Sequence, residues 1–541
     1  MKRSWAVFVL IVLVVLLPVL VQRKGASLGQ ADDVVVVITP HNESIRHEIG
    51  WGFREWYHAK TGRSVLVDWR TPGSTGEVLK YVDSVFVNSF RLYWERTLCK
   101  PWSSEVQMGF GDGRICPDPN FDPQEKMAVT ARRAFLNSNV GCGIDVLFGG
   151  SVIEYKKEAQ VGKLVDSGLL RLHPEWFTEA VIPPQHAGDR LWDAEGRWIG
   201  SSLSSFGLVF NTERLGELGY PGVPSRWEDL THPLFFQQVA MVDPVQSSVV
   251  VRCFEMILQQ QMQERLRELS ITPTTPSERE HQAVREGWQA GLKIIQRLMA
   301  NARYFTDNSV KTIGDISAGN CAAGIVVDFY GRYQREILRI RNARPRLEFV
   351  MPKGGSTVSP TPIALFRGAP HPVVGQAFME YILSMEGQRL IGFKVGVPGG
   401  PRQYALSYAP VRKDFYDEEN KPFMLSPEMN PFNDVGDFEY RPQWTRPTFR
   451  ALRFIAKVVF MDTYNELSLA WGALIRAQSK GDIYPKALAV WGDLSSLSYD
   501  WAVNELESLL DERNPLKEIE LATKLSKQFR SQYRRAYEMV R

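Results

Sequence analysis

Residues Asp33 to Thr39, DVVVVIT, form an uninterrupted β-branched run that Pro40 closes. A run without polar alternation reads as a strand covered on both faces of a sheet, which commits the chain to a layered α/β architecture. The next residues supply the covering layer: Ile45, Ile49, Phe53, Trp56 and Tyr57 recur at helical spacing between Ser44 and Lys60, and Thr61-Gly62 stops that helix. Val65 to Trp69 is a second strand, Thr71 to Gly76 a loop, and Val78 to Val87 a second helix. Strand, loop and helix repeated in this order are the grammar of a parallel sheet.

Further along, Gly143 to Gly150 is a buried strand ending in two glycines, and Trp198 to Asn211 is a strand long enough to cross between lobes. Val239 to Val242 is a strand and Val249 to Gln260 a helix. The charged stretch Gln261 to Arg279 reads as a surface excursion before a helix at Gly287 to Ala300. Strands follow at Ala322 to Val327, Leu347 to Met351 and Pro362 to Phe366. Beyond Pro410 a Pro/Asp/Asn-rich linker precedes long amphipathic segments, Pro447 to Gln478 and Ala487 to Glu538, which read as a helical appendage.

At 541 residues the chain exceeds the size of one hydrophobic core, so more than one domain is expected. Lys2 and Arg3, an apolar run from Trp5 to Val21, and small residues ending near Ala31 are the pattern of an export signal; the competing reading is an uncleaved membrane anchor. The first 31 residues hold four bases and no acids, and the remainder has 60 bases against 61 acids. A near-neutral body argues against a nucleic-acid partner, which normally needs a basic stripe. The five cysteines lack the spacing of a zinc or redox site, although Cys99 and Cys116 are placed to close a loop in an oxidising compartment. No GxSxG elbow, HExxH, P-loop or metal-ligand cluster points to an enzyme.

Several pieces in order carry a resemblance: Ile38 to Glu43 (ITPHNE), Trp56 to Gly62 (WYHAKTG), Asp145 to Gly150 (DVLFGG) and Ser204 to Asn211 (SSFGLVFN). Trp227 to Leu230, Asp243-Pro244 with Ser247-Ser248, Asp328 to Gly331, Gly368 to Pro372 and Ser384 to Leu390 continue it. Over roughly residues 33 to 405 the chain resembles the extracellular solute-binding proteins of ABC importers, of the branch related to ferric-ion binding proteins (the bacterial solute-binding protein family 1 type). The resemblance implies a two-lobed periplasmic-binding-protein fold of type II-like α/β lobes that close on a ligand. Residues 1–31 are then a signal peptide or anchor, 33–200 with 350–410 lobe one, 205–345 lobe two and 411–541 a helical extension. It also implies a monomer outside the cytoplasmic membrane, touching the membrane only through an uncleaved N-terminus, with a small-molecule ligand, a transporter permease as partner and no cofactor.

Open α/β sheets bind ligands at the carboxyl ends of their strands, where helix N-termini present free N–H groups. The candidate residues are therefore His41, Asn42, Ser74, Thr75, Gly150, Ser151, Ser204, Ser205, Asp243, Ser247, Ser248, Asp328 and Tyr330. Ferric relatives use hard oxygen ligands, often two adjacent tyrosines, but the matching position here reads Phe329-Tyr330. That leaves Tyr330, His41 and Asp328 for iron, too little charge for a trivalent cation. The many hydroxyls suit an anionic head group instead, with Asp328 pairing an amine, so a small organic anion or zwitterion is expected. Each hydroxyl has a plainer reading as a helix N-cap. The alternatives are ferric-ion binding and a membrane-anchored ligand sensor on the same fold.

Overall fold

The computed structural model describes residues 31–118, 126–271, 275–307, 309–341, 346–433, 438–481, 484–512 and 514–541. The signal or anchor expected at 1–31 lies outside them, apart from Ala31, as does the side chain of Ser248. Among the described residues no helix is long and apolar enough to cross a membrane.

The expected β-α series forms. Strand β1 (Asp33–Ile38) leads into α1 (Glu43–Thr61), β2 (Val65–Arg70) into α2 (Thr75–Leu92), and β3 (Val146–Phe148) into α3 (Val152–Val161). The long strand β4 runs Ile199–Asn211 with every residue buried. After it come β5 (Val239–Val242), α4 (Ser248–Glu268), α5 (Pro276–Ala300), β6 (Ala302–Thr306) and β7 (Ala323–Val327). Helix α6 (Asp328–Arg341), β8 (Leu347–Val350), β9 (Val358–Phe366), α7 (Pro372–Leu383), α8 (Met385–Gly392) and the short β10 (Ala409–Pro410) return the chain.

The strand order is β2-β1-β3-β9-β4-β7-β5-β6, and the hydrogen-bonded path is unbroken because β4 serves two sheets. Its first half, Ile199 to Ser205, pairs antiparallel with β9, while Phe206 to Phe210 pair with β7. Each half anchors its own lobe, so β4 and the β8–β9 pair are the crossing strands of a two-lobed α/β fold.

Side chains of β4 alternate between the two faces of the sheet. Leu203 packs with α1, α7 and α8, and Val209 with α6. Phe206, Leu208 and Phe210 face α4, and α2 and α3 cover the corresponding face of lobe one. Helices α2, α3 and α4 therefore share one face with Ser204, while α1, α6, α7 and α8 share the other with Ser205.

The stretch Gln261 to Arg279, expected as a surface excursion, is largely helix. Helix α4 continues to Glu268 and α5 begins at Pro276, because Met262 sits in the core and Thr275 with Glu278 forms a capping box. Cys99 and Cys116 are separate exposed thiols; the Cys99 sulfur turns to the Arg96 carbonyl at 3.9 Å.

The C-terminal segments form α9 (Tyr464–Ser479), α10 (Pro485–Trp491) and α11 (Pro515–Glu538), with shorter turns between them. They share one apolar core with lobe two, in which Trp288, Trp471, Trp491, Phe529 and Tyr533 meet. Hydrogen bonds stitch the same seam: Trp288 Nε1 donates to the Leu497 carbonyl at 2.8 Å and Trp471 Nε1 to Asn301 Oδ1 at 2.8 Å.

Candidate functional site

Most of the expected ligand hydroxyls begin a helix. Asn42 caps α1 by accepting from the Ile45 amide (3.1 Å), Ser151 caps α3 from Ile153 (3.3 Å), and Ser247 caps α4 from Val250 (3.4 Å). Ser74 caps α2 in a box with Glu77, whose carboxylate accepts from the Ser74 amide at 2.7 Å. Asp243 ties its own turn, accepting from the Val245 amide at 2.7 Å and from Gln246 Nε2 at 3.2 Å. The capping reading therefore holds locally, and what matters for function is where these N-termini point.

They meet. A Cβ on Gly149 would stand 2.4 Å from the His41 ring, and one on Gly150 2.8 Å from the Thr75 methyl, so the loops after β1, β2 and β3 are in contact. Both glycines hold positive φ, 90° and 104°, which a side chain resists. A Cβ on Gly76 would reach the Gln246 carbonyl at 4.0 Å, which brings the start of α2 in lobe one against the start of α4 in lobe two. The loops that open α2 and α4 thus face one another across the lobes.

His41 is buried and packed rather than presented. Its Nδ1 lies 2.8 Å from Thr39 Oγ1, its ring centroid 4.4 Å from that of Phe148 and 5.8 Å from that of Tyr408. Burial, with Arg46 nearby, pulls the imidazole down to about 3. At the crossing strands, Ser204 and Thr361 hydroxyls bond at 3.0 Å, and Ser205 Oγ donates to Asp328 Oδ2 at 3.0 Å. Asp328 also accepts from its neighbour Phe329's amide at 2.7 Å and pairs with Arg332 one turn along. Burial pushes its carboxyl above the usual range while Arg332 opposes that shift. Tyr330, whose phenol burial pushes up, adjoins Phe329, and Phe329 stacks on Tyr408 at 4.5 Å. Among the described residues there is no group of three His, Cys, Asp or Glu placed to hold a metal.

The structure adds cations that the sequence reading missed. Lys156 of α3 lies on the Ser204 face, its ammonium 5.8 Å from the Trp198 ring. Burial pushes Lys156 below the usual lysine range, Asp189 opposes this, and Arg252, Arg446 and Arg190 add to it, so these cations lie within electrostatic reach of one another. Arg252 is neutralised by Asp189 and Glu255, whereas Lys156, Arg190 and Arg446 have no ion pair among the described residues. No motif marks them: Lys156 is half of a Lys156-Lys157 pair on a helix, and Arg190 and Arg446 are single bases on a hairpin and a linker.

Two α/β lobes joined by crossing strands, with helix N-termini converging from both, define a solute-binding protein fold. Residues 144–412 match the family described as bacterial extracellular solute-binding protein, and the chain carries that family's solute-binding domain. The phosphoglycerate transport regulatory protein PgtC of Salmonella typhimurium is 26% identical over 194 residues, covering 36% of this chain and 40% of that protein. An uncharacterized protein of Haemophilus influenzae is 23% identical over 247 residues, 46% of this chain and 60% of its own length. The chain thus spans roughly two to three fifths of the curated relatives it matches. Among solved structures, the periplasmic binding protein AfuA of Actinobacillus pleuropneumoniae, with exogenous fructose-6-phosphate bound, is 13% identical. The match covers 80% of this chain and 99% of that one at a TM-score of 0.46. Iron-bound HitA of Pseudomonas aeruginosa is 15% identical over 78% and 98% of the two chains, at a TM-score of 0.41.

Proposed function

We propose that the protein is the non-enzymatic capture component of an ABC-type importer, working outside the cytoplasmic membrane and taking a small organic anion between its lobes. Lobe one is 33–200 with 350–410 and lobe two 205–345, and a permease is the partner. The observation that carries this reading is the meeting of the N-termini of α2 and α4 across the lobes, on the face where Lys156, Arg190 and Arg446 have no ion pair among the described residues. Free N–H groups and uncompensated cations together favour a carboxylate or phosphate. A partial relative named for phosphoglycerate transport regulation supports a phosphorylated acid as the first compound to try. In this reading Ser74, Thr75, Ser151 and Ser247 surround the anionic head, with Gly150 leaving room for the Thr75 side chain. Asn42, His41 and Asp243 shape the loops, Ser204 forms the floor, and Asp328 and Tyr330 brace the hinge from the opposite face.

Native mass spectrometry of the protein as purified, followed by calorimetry with 3-phosphoglycerate, amino acids, polyamines and ferric ion, tests it. Binding of a phosphorylated or carboxylic acid that Lys156→Gln weakens about tenfold is expected, one charge-assisted bond contributing about 1.5–3 kcal/mol. Tight ferric binding with indifference to every organic acid sinks the reading. The relative's regulatory name favours a second reading, a ligand sensor; an N-terminus retained in the membrane of the native host would select it over import.

A further inference from the structure

On the Ser205 face of β4, away from the α2 and α4 N-termini, lies a cavity of about 440 Å³. Leu203 and Val358 of the crossing strands and Phe349 of β8 give it an apolar floor, and the segment Leu425 to Pro431, beyond the family-matched residues, closes it. Its charged lining is unbalanced. Arg332 pairs with Asp328, yet its Nε is buried with no hydrogen-bond partner. Arg335 shares one nitrogen with Glu348 at 3.2 Å. Lys394 gives its ammonium only to the Pro422 carbonyl, at 3.0 Å, and has no ion pair among the described residues. Asp328 is already satisfied, which leaves Glu428 at the rim as the uncommitted carboxylate among the described lining residues.

We infer that this cavity is a second ligand site, separate from the strand-end cleft, for an organic monoanion with an apolar body. A carboxylate gains charge-assisted bonds from cations that lack an acidic partner. Lys394 and Arg335 add charge at the same wall, while Leu203, Phe349 and Val358 cover a hydrocarbon or aromatic body. The volume falls within the range of small-molecule pockets, about 300–1,000 Å³. Glu428 disfavours a second negative charge, which sets this ligand apart from a phosphorylated acid.

Calorimetry of the full chain with octanoate tests the inference, with octylamine as the control of opposite charge. Octanoate is expected to bind and octylamine to be ignored. Lys394→Met, which removes the ammonium from an exposed side chain, is expected to weaken octanoate about tenfold. Lys156→Gln, in the other cleft, is expected to leave octanoate unchanged. An absence of octanoate binding overturns the site, as does equal affinity in Lys394→Met or a loss in Lys156→Gln, which would move the molecule to the other cleft.

Discussion

Arg252 of α4 meets Asp189, on the short hairpin of lobe one, at 2.5 Å, with both side chains almost fully buried. Glu255 holds the other end of the guanidinium at 2.6 Å, Ser359 of β9 stands at 3.3 Å, and the Tyr440 ring lies 3.8 Å from its centre. One cation thus ties both lobes to the chain that enters the helical extension. Removing one partner strands a buried charge, at a cost of about 3–5 kcal/mol. Arg252→Met is therefore expected to lower the urea midpoint strongly. Adding Asp189→Leu and Glu255→Leu should restore part of the loss, and three independent effects that simply add would argue against a coupled cluster.

The buried His41 makes stability depend on pH. Its folded imidazole takes a proton only at about 3, whereas the unfolded one takes it near the ordinary 6.5. Between those values the unfolded state binds the extra proton, so stability falls as pH drops below about 6.5 and stops falling near 3. At pH 5 this amounts to about 2 kcal/mol. Chemical denaturation of the parent and of His41→Asn at pH 7 and pH 5 should show the parent losing that much more than the variant.

Gly150 holds a φ of 104° with Thr75 facing the place of its missing Cβ. Gly150→Ala is expected to cost about 1–3 kcal/mol through backbone strain. It should also push Thr75 away and weaken anion binding in the strand-end cleft, while octanoate binding stays as in the parent. A variant with parental melting temperature and parental affinity would show that these loops do not touch.

Trp471 and Trp491 stack at 4.8 Å in the core shared by lobe two and the extension. Trp491→Ala is expected to cost about 3–5 kcal/mol. Scanning calorimetry should show lobe two and the extension melting in one transition; a separate transition for the extension would contradict a common core.

The strands were legible from residue type alone where they are buried on both faces, as in the Asp33 run and in Val239 to Val242. Strand-end loops followed from the same reading, because a strand's end and a helix's cap are both local features. What escaped was long-range. Nothing in the sequence near Lys156 tells that Arg190 and Arg446 approach it, since the three lie on separate elements brought together by the crossing strands. Arg332 and Arg335, by contrast, stand one and two turns after Asp328 on the same helix, and helical spacing alone could have placed them beside it. The extent of α4 was hidden by Gln259, Gln260 and Gln263, polar residues that the fold buries by giving their amides the carbonyls of Arg441, Lys353 and Glu439, partners distant in sequence.

Because the C-terminal helices share the core of lobe two, the two turn about β4 as one piece. Viewed from that frame, any opening or closing is the swing of lobe one alone, a door and not one of a pair of jaws. A permease that grips the frame would sense the ligand only through the position of the door.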